Sequence, residues 1–180
     1  MNHTSRPEDV EWVLDWFARA ELAEPVRSAP PPEDAATVAG LRQGPFTASE
    51  VLALPLFAGC SEEIARRVGE TARELTAAPG EDVIRRHQLE RDFYVIVSGE
   101  ADVEIDGAHI RGLRAGDFFG ELAALDWGAG FGYARSATVT ATAPLRMLVL
   151  APRDLHELMR NAPPVARRVQ AAARERLRRT

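Results

Sequence analysis

Residues Gly116–Thr140 read GDFFGELAALDWGAGFGYARSATVT. Two strand-like stretches flank a connection that holds a short helix candidate, Glu121 to Leu125, with Gly120 directly before it. A helix start presents unpaired backbone N–H groups and a partial positive charge, and glycine lets a ligand come close to the backbone. Arg135 stands at the entry of the next strand. Its planar guanidinium can grip two phosphate oxygens at once. Glu121 would repel a phosphate, but its carboxylate suits the hydroxyl of a sugar. Ala123, Ala124 and Ala137 are small enough to leave room. These residues together predict a cradle for one phosphate carrying a ribose.

Outward from this stretch, apolar residues alternate with period two. The pattern predicts strands at Leu75–Ala78, Asp82–Arg86, Phe93–Ser98, Ala101–Ile105, Ala108–Leu113, Ser136–Ala141 and Leu145–Leu150. Turn chemistry separates them: Pro79-Gly80, Ser98-Gly99-Glu100, Asp106-Gly107 and Ala115-Gly116-Asp117. Short strands at this spacing predict an antiparallel sandwich or barrel, so the fold class is mainly β with flanking α.

Helices are expected on both sides. Thr47-Ala48-Ser49-Glu50 has the spacing of a capping box, and Pro55 stops the helix it opens. Ser61-Glu62-Glu63 opens another, with Ile64, Ala65 and Val68 facing inward. After the strands, Pro152-Arg153-Asp154 begins a helix with Leu155, Leu158 and Met159 on one side. Asn161-Ala162-Pro163-Pro164 breaks it, and a last helix runs from Val165 to Arg178, carrying Val165, Val169, Ala172 and Leu177. Residues 1–45 differ in texture. Val10, Val13, Leu14 and Phe17 mark one helical face beside Trp12 and Trp16, and SAPPPE at Ser28–Glu33 suits an extended linker. The expected organisation is an amphipathic helix and Pro-rich linker over 1–45, then one domain over 46–180.

Composition removes several functions. All 22 basic residues are Arg, so Schiff-base chemistry and a lysine phosphate clamp are excluded. The single Cys60 excludes a disulfide framework and a multi-thiolate metal site. The four His residues are scattered and no His-x-His pair occurs, so no metal is expected. No nucleophile–base pair stands out, so the chain is not read as an enzyme. The net charge of −5 argues against nucleic acid. The Arg-rich end, Arg167 to Arg179, reads as a solvated helix face. No signal peptide or membrane span is visible, which predicts a cytoplasmic protein.

The segment resembles the phosphate-binding cassette of the cyclic nucleotide-binding domain family, roughly F-G-E-[LI]-[AG]-L, a turn, then R-[AST]-A and an apolar strand. Here the residues are Phe119-Gly120-Glu121-Leu122-Ala123 and Arg135-Ser136-Ala137-Thr138-Val139. Asp92–Glu100, DFYVIVSGE, is similar to the family's central strand and turn, and Leu54-Pro55-Leu56-Phe57 to its entry helices. The resemblance implies an antiparallel β-roll (jelly roll, or double-stranded β-helix) with N-terminal helices and two C-terminal helices. It implies cyclic AMP or cyclic GMP as ligand and no cofactor. Arg135 would pair with the cyclic phosphate and Glu121 would take the ribose 2′-OH. Phe119, Gly120, Leu122, Ala123, Ser136 and Ala137 would complete the cup. The helices after the roll would move when ligand binds, so the expected function is a sensor signalling to a protein partner, or across a homodimer, through the N-terminal or C-terminal helix. The alternative is a degenerate cassette serving as a nucleotide-independent interaction module. No DNA-binding helix-turn-helix is expected after Pro164, and no membrane contact. Two departures stand out. Gly120 and Arg135 lie farther apart than the family's usual spacing, with a Gly/aromatic loop at Asp126–Tyr133. Arg86–Arg91 replaces the family's usual acidic-glycine-aspartate turn.

Overall fold

The computed structural model describes residues 46–125 and 135–177. The expected N-terminal helix, the Pro-rich linker and the loop of Trp127, Phe131 and Tyr133 lie outside the described residues.

Thr47 caps helix α1 (Ala48–Ala53) through a complete capping box with Glu50. A single 3-10 turn at Pro55–Phe57 follows. Ser61 caps α2 (Glu62–Thr71), which buries Ala65 and Val68 and leaves Ile64 half-buried. Eight strands come next: β1 (Arg73–Ala77), β2 (Asp82–Ile84), β3 (Phe93–Ser98), β4 (Glu100–Ile105), β5 (Ala108–Arg114), β6 (Phe118–Phe119), β7 (Thr138–Ala141) and β8 (Leu145–Leu150). One turn of helix, α3 (Glu121–Leu125), follows β6, and α4 (Pro152–Asn161) and α5 (Pro163–Leu177) follow β8.

The strands form two antiparallel four-stranded sheets, ordered β1-β8-β3-β6 and β2-β7-β4-β5. This is the expected β-roll with flanking helices. Asp106 and Gly107, both at positive φ, make the two-residue turn of the β4–β5 hairpin. That conformation is the one whose twist matches the flanking strands.

Two cores share the first sheet. On its outer face Phe93, Val95, Leu148 and Leu150 pack with Val51, Phe57, Leu155, Val165 and Val169 from the helices. On its inner face Tyr94, Ile96, Met147 and Val149 meet Val83, Val139 and Leu113 of the second sheet. Both faces of β3 and β8 are therefore dry, which is why FYVIV and LRMLVL are nearly continuous apolar runs rather than alternating ones.

Several boundaries differ from the sequence reading. Strand β6 was not expected, because two residues carry no period. Ser136 and Ala137 precede β7 instead of beginning it. Pro163 does not break the helix pair. It lies at the first position of α5, where a missing N–H costs nothing, and Ala162 alone separates the helices. Ala173, not Ala172, is the buried alanine of α5.

Candidate functional site

The short pairing of β6 with β3 places Phe119 opposite Tyr94. Their rings stack at 4.9 Å. The chain then turns through Gly120, whose φ of +86° lies in the left-handed region. A Cβ at Gly120 would stand 2.7 Å from the Asp92 carbonyl oxygen and 2.8 Å from Arg135 Nη1, so neither conformation nor space admits another residue. The Gly120 carbonyl accepts the Ala124 N–H at 3.1 Å, which opens α3. With five residues, α3 is too short for a helix macrodipole of consequence, so an anion here depends on side-chain charge.

Arg135 supplies that charge from inside the protein, at 2% exposure. Its Nη2 donates to the Asp92 carbonyl at 2.8 Å and its Nη1 to the Gly120 carbonyl at 3.3 Å. The guanidinium lies 5.5 Å from the centre of the Tyr94 ring. Burial lowers its basicity, opposed by Tyr94, Asp92, Glu90 and Glu121 nearby, yet an arginine remains charged. Among the described residues Arg135 forms no ion pair, and its buried Nε has no hydrogen-bond partner.

The turn at residues 85–88 fixes the backbone of Arg135. Arg135 N–H donates to the Gln88 carbonyl at 2.8 Å, and His87 N–H donates to the Arg135 carbonyl at 2.9 Å. His87 adopts a φ of +70°, and Gln88 Oε1 accepts the Arg85 N–H at 2.8 Å. The segment that departs from the family's turn is thus part of the site's scaffold.

Glu121 is 1% exposed. One oxygen, Oε2, pairs with Arg176 of α5, whose Nη2 also donates to the Phe118 carbonyl at 2.8 Å. The Arg176 guanidinium lies 5.3 Å from the Phe118 ring centre. The other oxygen, Oε1, is buried without a partner. Arg91 Nε donates to the Ala123 carbonyl at 3.2 Å and ties down the far end of the one-turn helix.

The residues expected at the site come together unevenly. Phe119, Gly120, Glu121 and Arg135 form one connected cluster, and Ala123 is buried beside it. Leu122 and Ala137 are half-buried and Ser136 is exposed. Reading the sequence missed Tyr94, the Asp92 carbonyl, the 85–88 turn and Arg176. Tyr94 lies within the central-strand motif and was available there. Arg176 was hidden in a run of arginines and is not on a solvated face: its side chain is 22% exposed. Arg168 likewise turns inward, donating to the Leu56 carbonyl at 3.1 Å.

The family model of the cyclic nucleotide-binding domain matches residues 74–162. Cyclic nucleotide-gated channel beta-1 of Bos taurus is 29% identical over 133 residues, 72% of this chain and 9% of the channel. A cAMP-dependent protein kinase regulatory subunit of Eremothecium gossypii is 37% identical over 81 residues, 44% of this chain and 17% of that protein. The crystal structure of the Thermus thermophilus catabolite activator protein superposes with a TM-score of 0.58 at 27% identity, over 69% of this chain and 59% of that one. Through residues 74–162 the chain belongs to the cyclic nucleotide-binding domain family, whose members are regulatory binding modules. It spans less than a fifth of the length of these two curated relatives. Among the described residues no helix is long and apolar enough to cross a membrane.

Proposed function

We propose that this chain is a sensor, not an enzyme, whose β-roll binds a cyclic nucleotide and passes the event to a protein partner through its C-terminal helices. One observation carries the reading. Two polar atoms beside Gly120 are buried and unmet, a charged donor on Arg135 and an acceptor on Glu121. Each such group costs on the order of 1–3 kcal/mol when left without a partner. An anion for the guanidinium and a hydroxyl for the carboxylate answer both at once, and a ribose cyclic phosphate carries the two on one rigid ring. Cyclic AMP is the first candidate, and cyclic GMP the second. Phe119, Leu122, Ala123, Ser136 and Ala137 are proposed to line the ligand.

A second reading rests on a different observation. The terminal nitrogens of Arg135 already donate to protein carbonyls, and Glu121 already holds Arg176. A cassette satisfied in this way serves as a nucleotide-independent interaction module.

Thermal unfolding in the presence of each nucleotide separates the two. Ligand at a hundredfold excess over its dissociation constant stabilises by ~2.7 kcal/mol. For a chain of this size that raises Tm by roughly 5–10 °C. Arg135→Ala abolishes the rise in the sensor. No rise with either nucleotide at millimolar concentration leaves the interaction module.

A further inference from the structure

Arg176 joins two parts of the molecule that the sequence keeps far apart. It lies in the last turn of α5, yet its guanidinium touches Glu121, the Phe118 carbonyl and the Phe118 ring. The start of α5 is held differently: Val165, Val169 and Ala173 are buried in the core, and Arg168 reaches the Leu56 carbonyl. Past Ala173 the described side chains are exposed or half-buried, so polar contact takes over from packing in the final turn.

The pairing is also directional on the carboxylate. Arg176 occupies Oε2 of Glu121 and leaves Oε1 open. A carboxylate buried to 1% needs a compensating charge to stay ionised and stay inside, and Arg176 is the cation that touches it. With one oxygen fixed, the other is held in place as an acceptor.

From this we infer that Arg176 is a positioning residue for sugar recognition: it aims the free oxygen of Glu121 at a ribose 2′-hydroxyl, and the same bond makes docking of the last turn of α5 depend on that hydroxyl. The inference rests on the sensor reading above and adds a residue and a direction to it. Hydroxyl and guanidinium take different oxygens, so they support one another instead of competing. A hydroxyl on Oε1 secures the carboxylate, and a secured carboxylate secures Arg176. Each site raises the affinity of the other by the same factor.

The test compares cyclic AMP with its 2′-deoxy analogue in calorimetric titrations. The wild-type protein prefers the ribonucleotide by about tenfold or more, the worth of one hydrogen bond to a charged group. In Arg176→Gln the preference shrinks to about twofold, through weaker binding of cyclic AMP while the deoxy analogue binds as before; a residual preference of this size is what a mispositioned acceptor retains. Arg176→Lys, which keeps the charge, restores part of the preference. Equal weakening of both nucleotides marks a merely structural residue and overturns the inference. A preference that grows in Arg176→Gln shows competition for the carboxylate and overturns it too. If the wild-type protein binds neither nucleotide, the sensor reading itself fails. A second measurement needs no variant: with both ligands at saturation, cyclic AMP slows amide exchange in the last turn of α5 and the deoxy analogue does not. Equal protection by the two ligands overturns the coupling.

Discussion

The backbone of Arg135 is paired with that of Gln88. Its N–H donates 2.8 Å to the Gln88 carbonyl, in the turn that also sends the His87 N–H to the Arg135 carbonyl at 2.9 Å. Arg135 is thereby aimed by its main chain before its side chain makes any contact. The guanidinium then has a fixed origin, from which Asp92, Gly120 and the Tyr94 ring are all within reach.

That turn stores strain at one residue. His87 sits at a φ of +70°, a region that disfavours residues bearing a Cβ by about 1 kcal/mol. His87→Gly therefore raises stability by up to about 1 kcal/mol, less what glycine loses in the unfolded chain. Chemical denaturation checks this. His87→Val lowers stability instead, because a β-branched residue tolerates this conformation least. An unchanged midpoint in both variants removes the assignment of strain.

Gly120→Ala acts at the centre of the site. The added Cβ meets a backbone oxygen and a guanidinium nitrogen at under 3 Å, on top of an unfavourable φ. The expected cost is more than about 1–2 kcal/mol of stability, together with loss of any thermal response to cyclic nucleotide. A variant as stable and responsive as the wild type shows that the backbone does not bend here as described.

Tyr94 tests the floor beneath Arg135. Tyr94→Leu removes both the stack on Phe119 and the ring beside the guanidinium, at a cost of roughly 1–2 kcal/mol beyond lost area. Tyr94→Phe keeps both rings and preserves nucleotide affinity. Denaturation midpoints and titrations of the two variants decide the matter. Equal losses in both point to the hydroxyl and away from the ring.

His156 sets a pH dependence. Burial pushes its pKa down to about 4, and Arg91 and Arg160 push in the same direction. The folded state therefore binds fewer protons than the unfolded chain between the ordinary value of 6.5 and about 4. This contribution to stability is complete above pH 6.5 and is lost as pH falls toward 4. Tm measured from pH 7 to pH 4.5 falls more steeply for the wild type than for His156→Gln. Parallel curves in that window show that His156 is not the group responsible.

What the sequence disclosed follows from where each residue faces. Strands β3 and β8 were legible to the residue, because both of their faces are buried and their ends are marked by turns. The capping box at Thr47 and Glu50 was legible because its logic is local. Strand β6 was invisible, since two residues at Phe118–Phe119 have no alternation to read. Arg176 was misjudged for a related reason: a lone inward arginine in a run of outward ones has no periodic signature, and only the tertiary fold brings Glu121 to it. The 86–91 segment was read as a flaw in the motif because its residue types differ, while its hydrogen bonds to Arg135 are made by main-chain atoms that any side chains would leave in place.

The sheet β1-β8-β3-β6 has an apolar core on each side and nothing loose between them. Interiors packed this way resist compression. A displacement on the helical side cannot be absorbed within the wall, so α4 and α5 must slide across it or pivot at Ala162, the single residue joining them. Replacing Ala162 with a bulkier residue at 1% exposure would jam that joint while leaving the ligand cradle untouched.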